Sequence, residues 1–348
     1  MKKRLILNVG YGRTTLREMY AAGNMSSRLF YGLIELEDKY DVEQVNYDSR
    51  AGVIGLIRSN LRVTRTCDFI YMTYLYEQPL ILISFLKSLG FYRHRKIIAV
   101  SHKRLKTGKN VLERFIYQLV YRHIDMFFFH SQQNLDDSVA LGLTERKKTC
   151  FFYWGDELFY VDRTYKMSMG NFFISTGREN RDFDLLIHAF SKTDADLELY
   201  TNRINYANNY ESLAEYQGQY PNVKIEFVDK SNDTTLRLAQ RTAECRCIVI
   251  PLMKSHVNYC VGLTSIIEAM AMGKPIISSP NPYSPVDIVK ERIGMVADTE
   301  EEWVAAIQFI QNYPEEAMAM GKRARRLAEQ YYNVNSTARL LDEILQSF

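Results

Sequence analysis

The residues best placed by type and spacing to do chemistry are Gly262, Leu263, Thr264 and Glu268, in the stretch GLTSIIE. A glycine just before a helix lets a ligand approach the main chain, and the first amides of that helix, here Leu263 and Thr264, lack an intrahelical acceptor. With the positive end of the helix dipole they form a site for a diphosphate, to which the Thr264 hydroxyl adds a donor. Glu268 follows one turn later on the same face. Its charge repels phosphate, so its natural partners are two adjacent hydroxyls, as when an acidic residue holds the ribose of a nucleotide. The same residues would also satisfy an ordinary helix start with a packing glycine and a solvated glutamate.

Two further groups carry polar chemistry. Gly177 and Arg178 form a turn, and Arg178 with Arg181 can neutralise a diphosphate and stabilise it as a leaving group. His102, in Ser101-His102-Lys103-Arg104, follows an apolar run at 96–100, so it stands at the carboxyl end of a strand and points into the crevice there. The other histidines (94, 123, 130, 188, 256) lack that context, although His256 could line the same pocket as Gly262. The triplets Asp182-Phe183-Asp184 and Asp194-Ala195-Asp196 fall at a helix start and in a turn, where acidic residues are favoured anyway, so no metal site is expected.

The elements that must hold these residues follow from periodicity. Residues 247–252 are a continuous apolar run that reads as a buried strand, followed by a loop, a helix and a second apolar run at 275–279. The helix stops where Gly273 can turn left-handed, Lys274 faces the negative end of the dipole and Pro275 blocks continuation. Strand, loop, helix, strand is the unit of a parallel sheet. Further strands are expected at 4–9, 68–76, 96–100, 125–129, 172–175, 197–201 and 223–228. Helices are expected at 27–39 (capped by Ser26 or Ser27), 79–89, 103–123, 131–141, 236–242, 300–313, 314–332 and 336–347. Gly10, Gly12, Gly23 and Arg28, after the first strand, are either ligand-wall or turn residues. The loop at 229–232 would lie beside a nucleotide base.

Composition sets the class. Of the 348 residues 47% are hydrophobic and 24% charged, a globular balance with room for two cores. Five cysteines (67, 150, 245, 247, 260) without CxxC or zinc spacing suggest a reducing compartment and no structural metal. The opening MKKRLILNVGYG has too short an apolar run for a signal peptide, and no run approaches the roughly 20 apolar residues of a spanning helix. A cytoplasmic location is expected. Residues 1–150 hold 24 Lys and Arg against 14 Asp and Glu, and residues 151–348 hold 20 against 27. The basic first half suits an anionic acceptor or an anionic membrane surface, and the basic amphipathic stretch 103–123 suits the latter; nucleic acid is not required.

Three segments, in order, resemble a known family. GLTSIIEAMAMGKPII (262–277) is similar to the nucleotide-sugar site of GT-B glycosyltransferases of the retaining family 4 type (glycosyl transferases group 1), which reads EAMA.GKPVI. FFISTGRENRDFDLLIHAF (172–190) resembles that family's strand, GR turn and D.LI.AF helix, and FFYWGDELF (151–159) its interdomain segment. The resemblance implies an α/β GT-B fold, two doubly wound Rossmann-like domains facing a cleft. Residues 1–160 would bind the acceptor, with the helix 334–348 crossing back, and residues 161–333 the donor. It implies metal-independent transfer of a hexose-like sugar from a nucleoside-diphosphate sugar to a saccharide or lipid-linked acceptor, with retention and without a cofactor. Arg178 would stabilise the leaving diphosphate together with Gly177, Arg181, Gly262, Leu263 and Thr264, Glu268 would hold the ribose, and His102 would orient the sugar. The chain departs from the family where a second glutamate is common: Cys260 stands there. Alternatives are a sugar-nucleotide epimerase on the same fold and a non-catalytic relative.

Overall fold

The structure is a computed structural model of the chain, and it describes residues 3–10, 12–46, 67–73, 78–204, 208–229, 231–254 and 259–348. The chain divides into two compact units, Met1–Trp154 with Val334–Phe348, and Gly155–Asn333.

The first unit is built on a six-stranded parallel sheet, in the order β2-β1-β3-β4-β5-β6. Its elements are β1 (Leu5–Gly10), α1 (Arg13–Ala21), β2 (Asp41–Asn46), β3 (Phe69–Met72), α2 (Gln78–Ser88), β4 (Lys96–Ser101), α3 (Val111–His123), β5 (Met126–Phe129), α4 (Gln132–Ala140) and β6 (Thr149–Phe151). Strands such as FIYM and MFFF are buried on both faces, as parallel strands covered by helices must be. Leu7, Ile70, Ile97 and Phe127 share one core with Leu80, Ile83 and Val120 of the covering helices.

The second unit contains α5 (Leu158–Thr164), β7 (Phe172–Ser175), α6 (Phe183–Ser191), β8 (Asp196–Thr201), β9 (Val223–Phe227), α7 (Asn232–Glu244), β10 (Cys247–Ile250), α8 (Leu263–Ala271), β11 (Ile276–Ser278), β12 (Gly294–Val296), α9 (Glu300–Asn312) and α10 (Pro314–Gln330). Its parallel sheet runs β12-β11-β10-β7-β8-β9, a doubly wound order whose direction reverses between β7 and β10. Phe173, Leu197, Val249, Ile277 and Trp303 meet in its core. The final helix, α11 (Val334–Ser347), returns to the first unit, where Asp342 accepts hydrogen bonds from Lys39 and from the Tyr40 hydroxyl at 2.8 Å.

Several expected elements differ. The helix expected at 27–39 is two short 3-10 turns, Ser27–Phe30 and Ile34–Leu36, because Tyr31 (φ 54°) and Gly32 (φ 85°) turn left-handed between them. Helix α1 occupies a stretch expected to be loop. The basic helix begins only at Val111, where the Asn110 side chain caps Glu113, so residues 103–110 are not helical. Strands β2, β6 and β12 lack the long apolar runs of the others and were not expected. Of the strand expected at 68–76, Phe69–Met72 is strand and Asp68 and Thr73 flank it, while residues 74–76 and His256 lie outside the described residues.

Candidate functional site

In the second unit the site grows from the loops after β7 and β10. Asn180 turns the first loop left-handed (φ 52°), and its amide is held by Asn208 Oδ1 at 2.7 Å. The Arg181 amide donates to the Tyr210 hydroxyl at 2.9 Å, and Met253 N donates to Asn180 O at 3.0 Å. Arg181 and Leu252 form a short antiparallel bridge, so the two loops are joined across the point where the strand order reverses.

That stitching folds the Arg181 side chain back over Gly177. The residue is 4% exposed. Nη1 donates to Glu179 O at 2.6 Å, while Nε has no partner. A Cβ on Gly177 would stand 2.1 Å from Nε, and one on Gly262 would stand 3.9 Å from Nη2, so the guanidinium lies between the two glycines. No carboxylate among the described residues forms an ion pair with it. Burial pushes its pKa down, but a guanidinium does not shed its proton in a protein, so a desolvated cation is left facing the mouth of α8.

Helix α8 opens on Gly262, whose φ of 88° only glycine adopts without strain. Asn281 fixes the approach by donating to Val261 O at 3.1 Å and Tyr259 O at 3.3 Å. Here one expectation needs correction: the Leu263 amide is not open, because it closes a turn onto Cys260 O at 3.1 Å, and the Leu263 side chain is buried. The open helix-start amides are those of Thr264 and Ser265, which have no main-chain acceptor among the described residues. The Thr264 side chain is exposed. Glu268 is half-buried one turn along and adds to the forces that raise the Tyr165 pKa, chief among them burial. At the far end Gly273 (φ 64°) donates to Met270 O, and Lys274 N donates to Ala269 O at 2.8 Å. The Lys274 ammonium does not serve its own helix: it is buried on the carbonyls of Ser168 and Cys245. Arg178 is half-buried beside Gly177, and Cys260 is buried.

The structure therefore brings together Gly177, Arg181, Gly262 and the start of α8, with Arg181 rather than Arg178 as the innermost cation. The two Asp triplets are accounted for locally: Asp182 caps α6 through Leu185 N, and Asp196 begins β8. Among the described residues no group of three or more His, Cys, Asp or Glu is placed to hold a metal ion.

In the first unit, His102 and His130 follow the adjacent strands β4 and β5, and their rings lie 4.8 Å apart. His130, which the sequence did not single out, is 1% exposed and stacks on Tyr31 at 5.8 Å, with Trp154 at 5.6 Å. Burial lowers the His102 pKa to about 4 and holds that of His130 well below its usual value, the second with a contribution from His102, so both rings are neutral near pH 7. A neutral imidazole offers one donor and one acceptor, suited to hydroxyl groups rather than to anions. Gly12 (φ 63°) starts α1, Gly23 is an exposed turn, and Arg28 O accepts from the Trp154 indole at 2.9 Å. The signal that could have exposed His130 is its place directly after a strand, the same argument that selected His102.

Residues 168–327 match the family described as glycosyl transferases group 1. No curated protein matches the sequence. Among solved structures, the chain is similar to HepE of Anabaena in complex with UDP (TM-score 0.69, 14% identity, covering 99% of this chain and 100% of that one). It is similar to a glycosyltransferase of Rickettsia africae ESF-5 (0.69, 13%, 100% and 99%) and to a UDP-N-acetylglucosamine 2-epimerase (0.57, 12%, 99% and 97%). At these identities the likeness is one of fold. Two parallel six-stranded sheets in separate α/β units, a C-terminal helix returned to the first, and the match over the second unit agree: the chain has the GT-B fold, and its residues 168–327 match the glycosyl transferases group 1.

Proposed function

We propose that the chain transfers a hexose-like sugar from a nucleoside-diphosphate sugar to an acceptor hydroxyl in saccharide or glycoconjugate biosynthesis, retaining the anomeric configuration. The observation that carries this reading is the Arg181 guanidinium, buried between Gly177 and Gly262 with no carboxylate partner among the described residues. There a diphosphate would supply the missing charge, with the Thr264 and Ser265 amides and Arg178 adding donors. Stabilising negative charge as the sugar–oxygen bond breaks is the main catalytic task, and removing one such donor costs about 3–4 kcal/mol of barrier. Glu268 holds the ribose hydroxyls, His102 orients the sugar, and no metal or cofactor takes part.

The first unit receives the acceptor. We place the enzyme in the cytoplasm, in peripheral contact with the inner membrane surface. At the start of α3, Val111, Leu112 and Phe115 are 83%, 67% and 62% exposed, directly after the basic loop Lys103, Arg104, Lys106 and Lys109. Apolar side chains beside cations suit an anionic bilayer surface. Among the described residues no helix is long and apolar enough to cross a membrane.

The test is a thermal-shift screen of UDP, GDP, ADP, CMP and dTDP and their sugars, followed by product analysis with the best donor. Stabilisation by one diphosphate and transfer to an added acceptor are expected. Release of a 2-epimer without acceptor would instead establish the epimerase reading, and stabilisation by none of them would overturn nucleotide-sugar binding.

A further inference from the structure

The first unit repeats, with a different arginine, the device seen around Arg181. Arg13 begins α1 and is 3% exposed. Its Nη1 donates to Leu29 O at 3.2 Å, its Nη2 to Thr73 Oγ1, and its Nε has no partner. A Cβ on Gly10 would lie 2.7 Å from that Nε, so the guanidinium rests on the glycine that ends β1 just as Arg181 rests on Gly177. Three of its five N–H groups are unused, and no carboxylate among the described residues pairs with it.

Its position adds a second, independent observation. Strand β1 pairs with β2 on one side and β3 on the other, with Val9 opposite Met72. The strand order therefore reverses between β1 and β3, and Arg13, reaching from the end of β1 to Thr73 at the end of β3, spans that crevice. Ligands of open α/β sheets bind at such a point, beyond the carboxyl ends of the strands. Thr73 also hydrogen-bonds His102 through its main chain, so the cation and the neutral histidine pair share one edge of the sheet.

We propose that Arg13 anchors a second anion site, which takes a phosphate-type oxyanion carried by the acceptor. A buried guanidinium with unused donors costs several kcal/mol unless a counter-charge arrives, and a phosphate accepts two parallel N–H bonds from one guanidinium. The anion site stands on the geometry of Arg13 alone, and only its assignment to the acceptor rests on the glycosyl-transfer reading. It narrows the acceptor to an anionic molecule whose hydroxyl is presented near His102.

The test uses the full chain labelled with 15N-arginine. The Arg13 Nε–H signal, assigned by its loss in Arg13→Lys, is followed as inorganic phosphate is added against an equal ionic strength of chloride. A saturable shift with phosphate and none with chloride is expected. It should persist in Arg181→Lys and in protein saturated with its nucleoside diphosphate. Gly10→Ala, which pushes the guanidinium off its seat, should weaken the binding at least tenfold. An immobile signal, or equal binding by Gly10→Ala, would overturn the site. A shift produced by the nucleotide alone, to which phosphate adds nothing, would assign the oxyanion to the donor and overturn the acceptor. If no nucleotide binds but phosphate still moves Arg13, the donor reading fails while this site stands.

Discussion

Gly177 lies directly beneath the guanidinium of Arg181, so close that a Cβ there would stand 2.1 Å from Nε. Glycine is needed at this position for space rather than for a left-handed backbone, since its φ lies outside the positive region. Gly177→Ala should therefore fold normally but displace the arginine. We expect the melting temperature to change little and nucleoside-diphosphate binding, measured calorimetrically, to weaken by roughly tenfold or more, the worth of a charge-assisted hydrogen bond.

Glu268 and Arg178 should separate in kinetics. A residue holding the ribose contributes equally to ground and transition states, so Glu268→Ala should raise the donor KM more than it lowers kcat. A residue stabilising the departing diphosphate acts mainly in the transition state, so Arg178→Ala should lower both kcat and kcat/KM. Initial rates over a range of donor concentrations distinguish them, and unchanged transfer by Arg178→Ala would remove its assigned role.

The histidine pair predicts a pH dependence of stability. Folding depresses both pKa values, His102 from 6.5 to about 4, so below pH 6.5 the unfolded chain binds protons that the folded chain excludes. Stability is then full above that pH and falls on acidification, by up to about 1.4 kcal/mol per pH unit for each histidine. For His102 the loss ends near pH 4. Urea unfolding followed by Trp154 fluorescence in a Trp303→Phe background should show this slope between pH 6.5 and 4.5. In His130→Leu the slope should be shallower, and an identical slope would show that His130 is not held neutral.

Gly32 is a position where glycine is required twice over. Its φ is 85°, and a Cβ would meet the main-chain nitrogen of Ala338 in α11 at 2.7 Å. Gly32→Ala combines backbone strain of about 1–3 kcal/mol with a clash against main chain that cannot rotate away. Loss of stability and new proteolytic cleavage within residues 334–348 are the expected outcomes, checked by thermal melting and mass spectrometry of the digest.

Most of this architecture was legible in the sequence because the buried strands advertise themselves. Runs such as CIVI, FFIS and KIIAVS have no solvated alternative, and Gly273 and Pro275 stop α8 where the rule for helix ends says they should, although the Lys274 ammonium is spent elsewhere. What escaped was short or set by tertiary contact. Strand β2 (DVEQVN) alternates weakly at a sheet edge, and the stretch 27–39 has helical spacing but is broken at Tyr31 and Gly32, where the chain makes room for α11. The site was half legible: a glycine before a helix is visible in one dimension, but the turn that consumes the Leu263 amide is not. Nor does spacing reveal that Arg181 and Arg13 fold back onto Gly177 and Gly10, because those contacts depend on how two loops meet at a strand-order reversal. Arg178 and Arg181 are indistinguishable by type, and burial tells them apart.

The measurement that bears most directly on the donor site is calorimetric binding of the best nucleoside diphosphate, and of its nucleoside without phosphates, to the unaltered chain and to Arg181→Gln. The diphosphate should bind the unaltered chain far more tightly than the nucleoside does, and Arg181→Gln should lose most of that difference, a drop of roughly ten- to a hundredfold. Equal affinity of the two proteins for the diphosphate would contradict the assignment of this buried arginine to the pyrophosphate, and with it the account of the site.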